Sequence, residues 1–563
     1  MSAKVILRII QFGFFIIISG LFYLQIIEGD FYYTRAKRNY IKIIPQEAER
    51  GIIFDREGRR LAFDKAMFNI AVIPYQVRKE KEKLLKEIAQ FLNIDEKILF
   101  RNFRRNWQGP FLPDNILINI GKKKALKIKG KFKDKVVINI SPLRFYPYPY
   151  AFSHLLGYVK RKELLSPLKK YGYSLQERVG VRGIEKFYDE YLRGESGTKV
   201  VEVDVKGKIV GLSKKIAPKK GKDIYLTVDA RIQKIAYQIL KGKKGAIILM
   251  NPNSGEILAL VSSPSFNLNN FVQGKKVEKI LKDKRFPLIN RALFCFAPGS
   301  IFKPIVALAG LEEKVITSST VFECKGEFKI GDRRFLCWNK HGRQNVIDAI
   351  KNSCNVYFYN LGLRLGVDRI SRWAKIFRLD KPTRIDLPYE KKCIVPSRSW
   401  KLRYKGKRWW TGDTLNFSIG QGYLEITPLE AIVAISAFAN GGYIVRPHLL
   451  KKVEGVNLNF QKKKLPVAKE NLEIVKKGLI EAVKSGTAHL LGKLNLKIAG
   501  KTGTAQNPHG VPHGWFVGFF PYDRPRYSIC VFLENGGSSF NAVVVTYKFL
   551  EELKKEGLIS YEE

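Results

Sequence analysis

An uncharged apolar run near the N-terminus sets the first limit on the fold. It reads IIQFGFFIIISGLFYLQII and covers the 19 residues from Ile9 to Ile27. At about 1.5 Å per residue, a helix of this length roughly spans the apolar core of a bilayer. The run is longer than the apolar segment of a usual signal peptide, and no small-x-small cleavage site follows it. We therefore predict a retained transmembrane helix at 9–27.

Basic residues on both sides of the run do not decide its orientation. Lys4 and Arg8 precede it, and Arg35, Lys37 and Arg38 follow it. The positive-inside rule therefore does not separate the two ends. We place residues 1–8 in the cytoplasm and the rest of the chain outside, mainly because of the chemistry that the motifs below indicate.

The chain is strongly basic, but its basic residues are not gathered in one place. Its 563 residues include 100 Lys and Arg against 51 Asp and Glu, a formal net charge of +49. Nucleic-acid-binding proteins usually concentrate such charge in a patch or an arm. We therefore expect a solvated lysine-rich surface and no nucleic-acid partner, with attraction to anionic lipid or cell-wall polymer as the second interpretation.

Two folded regions are expected after the apolar run. Residues 28–221 mix strands, charged helical segments and basic loops without a catalytic pattern. The stretch IAPKKGKDIYLTVD, with its Pro and Gly residues, places a domain boundary near Lys222. In residues 222–563, apolar strands stand at both ends of a mainly helical middle. This order predicts an α+β domain whose antiparallel sheet is assembled from distant segments.

The first candidate for chemistry is a Ser-x-x-Lys tetrad. Three such tetrads occur, at Ser166, Ser196 and Ser300, so the pattern alone proves nothing. Only Ser300-Ile-Phe-Lys303 follows a Pro-Gly break and opens a long apolar helical segment. Side chains three apart share a helix face, and a helix N-terminus offers free N–H groups to a developing oxyanion. The alternative is that Ser300 only caps the helix and Lys303 is a solvated charge.

Two further motifs make the tetrad specific. Ser353-Cys354-Asn355 follows 53 residues later, and Lys501-Thr502-Gly503-Thr504 follows after another 148. In this order, S-x-x-K, S-x-N and K-T-G form the signature of penicillin-recognising acyl transferases. Ser-x-Asn also occurs at Ser265 and Ser539. The ordered set of three, rather than any one member, therefore indicates a serine acyl transferase.

The last motif has a near copy 17 residues earlier. Lys484-Ser485-Gly486-Thr487-Ala488 and Lys501-Thr502-Gly503-Thr504-Ala505 both read K-[ST]-G-T-A. The first copy ends a segment with helical periodicity, and Gly486 suits the position after a helix, so we predict that it is only a helix end. The second copy follows the alternating segment LNLKIAG. There Gly503 lets a substrate backbone approach, and the extended chain can pair with a peptide.

The sequence as a whole resembles the class B penicillin-binding proteins, and among them the elongation-type branch of bacterial wall synthesis. The likeness rests on the anchor, the three motifs and the stretches RGIIFDREGRRLA, YPYPYAFSHLLGYV, GVRGIEKFYDEYLRG, LTVDARIQ, APGSIFKP, GDTLNFSIGQGYLEITPLE and GWFVGFFP. This resemblance implies a non-catalytic pedestal, or dimerisation, domain at 28–221. It also implies a transpeptidase domain of the penicillin-binding and serine β-lactamase-like fold at 222–563.

The resemblance further implies a mechanism for cross-linking peptidoglycan. Ser300 attacks the penultimate D-Ala carbonyl of a stem peptide, and neutral Lys303 takes its proton. Ser353 relays a proton to the leaving D-Ala, and an amine of a neighbouring stem peptide then resolves the acyl-enzyme. β-Lactams acylate Ser300 as substrate mimics.

The remaining motif residues bind and orient the substrate in this scheme. Backbone N–H groups of Ser300 and Thr504 form the oxyanion hole. Asn355 orients Lys303 and the donor amide. The residues that hold the substrate's terminal carboxylate are Lys501, Thr502 and Thr504.

Four residues between the motifs have metal-binding spacing. Cys324, Cys337, His341 and Cys354 read C-x12-C-x3-H-x12-C, a set suited to tetrahedral zinc. The alternatives are three buried cysteines beside a surface histidine, or one disulfide. Some members of the family resemble this set with Asp at the first two positions, which favours a structural zinc that braces the catalytic loop. The chemistry itself needs no cofactor.

The resemblance also implies partners and a location. The partners are stem peptides ending in D-Ala-D-Ala, β-lactams, the membrane and a polytopic glycosyltransferase of the shape, elongation, division and sporulation family. The location is the bacterial cytoplasmic membrane, with the catalytic domain outside. Two alternatives stay open: a serine-type D,D-carboxypeptidase, which shares all three motifs, and a non-catalytic wall-synthesis scaffold.

Overall fold

The computed structural model describes residues 2–105, 107, 110, 113–164, 175–204, 209–274, 277–454, 460, 462–508 and 510–559. Its first helix, α1 (Ala3–Phe22), continues as a π-helical turn (Tyr23–Ile27). Together these 25 residues are long and apolar enough to cross a membrane, and their apolar window is not buried in the protein. The predicted apolar run therefore lies inside a longer helix.

The N-terminal region combines two main sheets with short helices. Its strands are β1 (Ile41–Gln46), β2 (Ile53–Phe54), β3 (Arg60–Val72), β4 (Asp114–Ile120), β5 (Val137–Phe145), β6 (Val159–Leu164), β7 (Leu175–Gly180), β8 (Gly197–Val203) and β9 (Ile209–Ile216). Its helices are α2 (Gly29–Tyr40), α3 (Pro74–Val77), α4 (Lys81–Leu92), α5 (Glu96–Arg105), α6 (Lys122–Phe132), α7 (Ser153–Leu156), α8 (Gly183–Phe187) and α9 (Asp189–Leu192).

Some sequence predictions for this region need correction or fall outside the described residues. The segment GVRGIEKFYDEYL, whose pattern predicts a helix over Gly183–Leu192, forms the two short helices α8 and α9. The alternating Val residues that follow predict a hairpin, which is present as β8 and β9. The predicted turn of this hairpin at Lys206-Gly207 lies outside the described residues, as does the tetrad at Ser166. Ser196 lies directly before β8.

The C-terminal region is larger and more helical. Its strands are β10 (Ile224–Leu226), β11 (Gly245–Met250), β12 (Ile257–Ser263), β13 (Phe322–Cys324), β14 (Glu327–Ile330), β15 (Arg333–Leu336), β16 (Gly342–Gln344), β17 (Tyr443–Ile444), β18 (Leu450–Val453), β19 (Lys463–Lys464), β20 (Ala499–Asn507), β21 (Gly510–Phe520) and β22 (Tyr527–Leu533). Its helices are α10 (Ala230–Leu240), α11 (Leu268–Gln273), α12 (Val277–Leu281), α13 (Lys303–Glu312), α14 (Val346–Lys351), α15 (Asn355–Ile376), α16 (Arg398–Lys405), α17 (Thr411–Ser418), α18 (Pro428–Ala439), α19 (Lys469–Lys484) and α20 (Ser539–Lys555).

One five-stranded antiparallel sheet organises this region, in the order β12-β11-β22-β21-β20. Successive side chains of a strand point to opposite faces. Accordingly, Ile247 and Leu249 pack in one core with α10 and α20, and Ile248 and Met250 pack in the other with α13 and α18. The predicted α+β fold, with a sheet assembled from distant segments, is confirmed.

The two regions share a second sheet. Strand β10 pairs in parallel with β2 and antiparallel with β18, in the order β18-β10-β2-β3-β4. The regions are also joined by a hydrogen bond of 2.8 Å from the Tyr188 hydroxyl to the Asp386 carboxylate, which is buried. Backbone pairing therefore runs continuously from the N-terminal region into the C-terminal one.

Candidate active site

Ser300 lies in a short turn that precedes a helix. The turn is a 3-10 helix (Gly299–Phe302), and α13 begins at Lys303. The helix predicted to start at Ser300 thus opens with a tighter turn, in which side chains three apart are eclipsed. Gly299 has a φ of +59°, and a Cβ atom there would lie 2.6 Å from the Thr504 carbonyl oxygen. Only glycine therefore fits where this turn meets strand β20.

A loop that the motifs leave unassigned holds the same turn from another side. The Gly299 N–H donates to the Gly420 carbonyl oxygen at 2.8 Å. A Cβ atom on Gly420 would lie 2.0 Å from the Gly299 carbonyl oxygen. Next to it, Gln421 Nε2 donates to the Thr504 carbonyl oxygen at 3.3 Å. The stretch SIGQG therefore positions the Ser300 turn, and its paired glycines were the available signal in the sequence.

Lys303 is fully buried, and its amine is held by the S-x-N segment. Its Nζ donates to Asn355 Oδ1 at 2.7 Å, to the Ser353 carbonyl oxygen at 2.8 Å and to Ser353 Oγ at 3.3 Å. Burial lowers the pKa of Lys303 to about 8. A neutral amine has two N–H hydrogens and one lone pair. The two shorter bonds can use both hydrogens, which leaves the lone pair free to accept a proton.

The S-x-N segment connects α14 to α15 through an unusual backbone conformation. Ser353 has a φ of +54°, in the left-handed region that residues other than glycine seldom adopt. Asn355 is the first residue of α15, and its Nδ2 donates to the Leu336 carbonyl oxygen at 3.1 Å while its Oδ1 faces Lys303. The orientation of the Asn355 amide is therefore fixed by one hydrogen bond at its nitrogen and one at its oxygen.

The K-T-G motif lies on β20, which is an edge strand of the five-stranded sheet. Lys501 and Thr502 are buried, whereas Thr504 is exposed. Burial, together with the nearby charge of Lys303, holds the pKa of Lys501 well below its usual range. A Cβ atom on Gly503 would lie 2.9 Å from the Pro298 carbonyl oxygen. Close packing of the Ser300 turn therefore requires glycine on that side of the strand, and the approach of a substrate backbone at Gly503 stays a prediction.

The four candidate metal ligands come together beside this site. The ligand atoms of Cys324, Cys337, His341 and Cys354 all lie within 4.8 Å of one another. His341 Nδ1 is 3.6 Å from Cys324 Sγ and 3.5 Å from Cys337 Sγ. The Asn355 N–H donates to Cys337 Sγ at 3.2 Å. A Cys3His cluster with backbone N–H groups directed at its sulfurs fits tetrahedral zinc.

Comparison with known proteins decides the family. The family model for the penicillin binding protein transpeptidase domain matches residues 245–551, which is more than half of the chain. The family model for the penicillin-binding protein dimerisation domain matches residues 45–226. The chain belongs to the penicillin-binding proteins.

Individual relatives of this penicillin-binding protein cover almost its whole length. The peptidoglycan D,D-transpeptidase MrdA of Salmonella typhimurium is 33% identical over 602 residues, covering 98% of this chain and 96% of that protein. MrdA of Escherichia coli K12 is 32% identical, with 93% and 89% covered. The solved complex of PBP2 and MreC from Helicobacter pylori aligns with a TM-score of 0.81 and 29% identity, covering 92% of this chain and 100% of the other. The resemblance to the elongation-type branch, penicillin-binding protein 2, is thereby confirmed.

The first K-[ST]-G-T-A copy of this penicillin-binding protein does more than end a helix. Helix α19 does end at Lys484, as predicted. However, Gly486 is not left-handed, and a Cβ atom there would lie 2.5 Å from the Lys351 carbonyl oxygen. The hydroxyls of Thr487 and Thr502 are 2.7 Å apart and hydrogen-bonded. The prediction that this copy is only a helix end is therefore wrong, because it joins α14 to the K-T-G strand.

A disulfide also lies close to the Ser300 turn. It joins Cys295, five residues before Ser300, to Cys393. The neighbouring backbone is paired as well, since Phe296 bridges Ile426 and the Glu425 N–H donates to the Ile394 carbonyl oxygen at 3.0 Å. Sequence spacing assigns these two cysteines no role, because the fold alone brings together residues separated by 98 positions.

Proposed function

We propose that this protein is a peptidoglycan D,D-transpeptidase that cross-links stem peptides through a serine acyl-enzyme during cell-wall elongation. The observation that carries the proposal is the convergence of the buried Lys303 amine on Ser353 and Asn355, one turn from Ser300. Relatives that match over nearly the whole chain bear the name peptidoglycan D,D-transpeptidase.

In the acylation step, Ser300 Oγ forms a bond to the penultimate D-Ala carbonyl carbon as its proton passes to the Lys303 amine. A pKa of about 8 leaves about a tenth of this amine neutral at pH 7, far more than the ordinary lysine pKa would allow. The C–N bond then breaks, and the departing D-Ala amine receives a proton by way of the Ser353 hydroxyl, which contacts Lys303. Backbone N–H groups of Ser300 and Thr504 stabilise the oxyanion.

The K-T-G strand binds the substrate and influences the charge of the base. A terminal carboxylate placed near Lys501 favours the protonated form of that lysine. Because Lys501 and Lys303 repel one another when both are charged, this protonation favours the neutral form of Lys303. Thr504 Oγ1 accepts the Ser539 N–H at 3.0 Å, which leaves its own hydrogen for the carboxylate. Thr502 lies between these residues on the strand.

The acceptor in the second step distinguishes transpeptidation from carboxypeptidation. An amine of a second stem peptide attacks the acyl-enzyme in the first case, and water does so in the second. The edge of β20 can pair with the extended donor peptide in either case. Transpeptidation is supported by the relatives, which bear the name peptidoglycan D,D-transpeptidase.

Zinc is the proposed structural metal of the cluster formed by Cys324, Cys337, His341 and Cys354. When bound, zinc would link the loops that carry its four ligands and would take no part in the acyl-transfer reaction. Cys354 lies between Ser353 and Asn355, and Cys337 accepts the Asn355 N–H. The four ligands would therefore hold the S-x-N segment in place under Lys303.

We also propose the division into a cytoplasmic segment at 1–8, an anchor at 9–27, a pedestal at 28–221 and a transpeptidase domain at 222–563. The Cys295–Cys393 disulfide supports an extracytoplasmic catalytic domain, since disulfides persist mainly outside the cytoplasm. A solved peptidoglycan synthase complex aligns over the full length of this chain, with 28% identity and a TM-score of 0.75. This match supports a polytopic glycosyltransferase as partner.

Labelling with a fluorescent penicillin tests the proposal. The full chain in detergent is compared with Ser300→Ala, with Lys501→Ala and with Lys484→Ala as the matched control from the first pentapeptide. We expect no label on Ser300→Ala, weak label on Lys501→Ala and full label on the control. Product analysis with a tetrapeptide acceptor then separates cross-linked from hydrolysed product. A folded wild-type protein that takes no label would refute the enzyme assignment and favour the scaffold.

A further inference from the structure

A basic cavity lies in the C-terminal region, between the end of α15, the start of α18 and strands β17 and β19. Its volume is about 500 Å³. None of its lining residues belongs to the three motifs or to the metal cluster. Six of them carry a positive charge, namely Arg378, Lys381, Arg384, Arg446, Lys462 and Lys463.

These six cations lack acidic partners in the part of the chain that the structure describes. None of them forms an ion pair there, whereas nearby Arg372 is paired with Glu313. Arg446 Nε instead donates to the Arg384 carbonyl oxygen at 2.9 Å. Like charges that face one concave space repel one another and create a local positive potential. A cavity of this kind concentrates anions.

The backbone brings two of the arginines to the cavity in a strained conformation. Arg378 has a φ of +61° and Arg384 a φ of +64°, both in the left-handed region. Such conformations cost free energy in residues other than glycine and persist only where the surrounding structure enforces them. Between them, the N–H groups of Thr383 and Arg384 donate to Glu390 at 2.7 and 3.0 Å. Glu390 is thereby occupied by the backbone rather than by the cations.

One buried carboxyl group lines the cavity with an unused oxygen. Glu430 is only 2% exposed, and its Oε2 accepts the Thr427 N–H at 2.7 Å at the start of α18. Its Oε1 is buried without a hydrogen-bond partner in the described residues. Burial, with smaller contributions from Glu390 and Asp380, raises the pKa of Glu430 to about 9. At neutral pH this group is therefore uncharged, and it adds no negative charge to the cavity wall.

A second cavity continues the first. Its volume is about 410 Å³, and it shares Val445, Arg446 and Lys462 with the first. It adds Lys451, the hydroxyl of Ser254 and one carboxylate, that of Glu256. The Glu256 carboxylate is 4.0 Å from the Arg56 guanidinium, with which it forms an ion pair. The combined space exceeds what a single phosphate or carboxylate group needs.

We propose that this double cavity is a binding site for a multiply charged oxyanion, a ligand that carries two or more phosphate or carboxylate groups. Arg378 and Arg446 supply planar donors that match such groups bidentately. Because Glu430 is uncharged, it does not offset the positive charge of these arginines. The site is separate from the proposed catalytic residues, so its occupancy does not require acylation.

Calorimetric titration of the full chain in detergent tests the proposal, at constant ionic strength. Pyrophosphate and citrate serve as probes, because they separate phosphate from carboxylate recognition. The variant is Arg378→Ala/Arg446→Ala, and the matched control is Lys477→Ala/Lys493→Ala, which removes the same charge from exposed positions that do not line the cavity. We expect wild type and control to bind equally, and the variant to bind at least about tenfold more weakly, given the strength of hydrogen bonds to charged groups.

Two results would overturn the proposal. One is the absence of saturable binding of either probe to the wild type. The other is equal affinity in all three proteins, which would mean attraction to the net charge alone. Penicillin labelling of each variant checks folding, and the exposed pair Lys381→Ala/Lys463→Ala replaces the first variant if that variant fails to fold. Because the readout is binding, loss of the site and loss of the enzyme activity are distinguishable.

Discussion

Replacement of Thr487 by valine tests whether the first pentapeptide supports the active site. The change keeps the shape of the side chain but removes the hydroxyl that is 2.7 Å from the Thr502 hydroxyl. Thr502 is 3% exposed, so its hydroxyl would lose a partner that water does not easily replace. A hydrogen bond contributes about 0.5–1.5 kcal/mol, and a buried group left unpaired costs about 1–3 kcal/mol.

The expected kinetic effect follows from where Thr502 lies. The residue stands between Lys501 and Gly503 on the strand that binds substrate, so a loss of about 1–2 kcal/mol should appear largely in the acylation transition state. That loss corresponds to a decrease of about 5- to 30-fold in the second-order rate constant of acylation. Stopped-flow measurement with a fluorescent penicillin gives this constant, and thermal unfolding gives the change in stability.

Two controls make the result specific. Thr487→Ser keeps the hydroxyl and should acylate within about twofold of wild type. Lys484→Ala, from the same pentapeptide but exposed at the end of α19, should leave the rate unchanged. If Thr487→Val loses stability but acylates at the wild-type rate, Thr487 is merely structural and the reasoning is refuted.

Three further predictions concern the base, the metal and the disulfide. Burial lowers the pKa of Lys303 to about 8, and the neutral amine is the base. The acylation rate should therefore rise with pH and level off above about pH 8. A rate that does not change with pH would contradict the role of Lys303 as the base. If the cluster binds zinc, atomic emission should find about one zinc per chain in the isolated protein. Cys324→Ser should lower both the zinc content and the Tm measured by calorimetry. If Cys324→Ser keeps its full zinc content, the cluster is not the zinc site. Replacement of Cys295 and Cys393 together by alanine should lower the free energy of unfolding by about 2–4 kcal/mol, since their bond closes a loop of about 98 residues; denaturant midpoints that match those of wild type would argue against the bond.

Local patterns in the sequence account for those elements whose cause is itself local. Helix α10 begins directly after Asp229, whose side chain accepts the Arg231 N–H. The hairpin of β11 and β12 follows from two apolar segments around an Asn-Pro-Asn-Ser-Gly turn. The order of the three motifs likewise indicated that Ser300, Ser353 and Lys501 belong to one site.

Features that depend on contacts between distant segments were not predictable in the same way. The left-handed backbone of Ser353 and the close approach of Gly420 to Gly299 arise only when α14 and the loop after α17 pack on the Ser300 turn. The bond between Thr487 and Thr502 forms because α19 ends beside β20. None of these contacts has a fixed sequence spacing, so a pattern search has no period to detect; the paired glycines of SIGQG mark one side of one contact but not its partner.

The sheet shared by β2, β10 and β18 has a consequence for how the chain is made. Synthesis proceeds from the N-terminus at about 5–20 residues per second, so β18 leaves the ribosome roughly 20–80 s after β2. Until Leu450–Val453 arrives, β10 keeps one edge unpaired. A nascent chain therefore holds an open strand edge during the production of more than two hundred residues, and unpaired edges promote aggregation. A host that overproduces this chain must therefore protect that edge until β18 has been made.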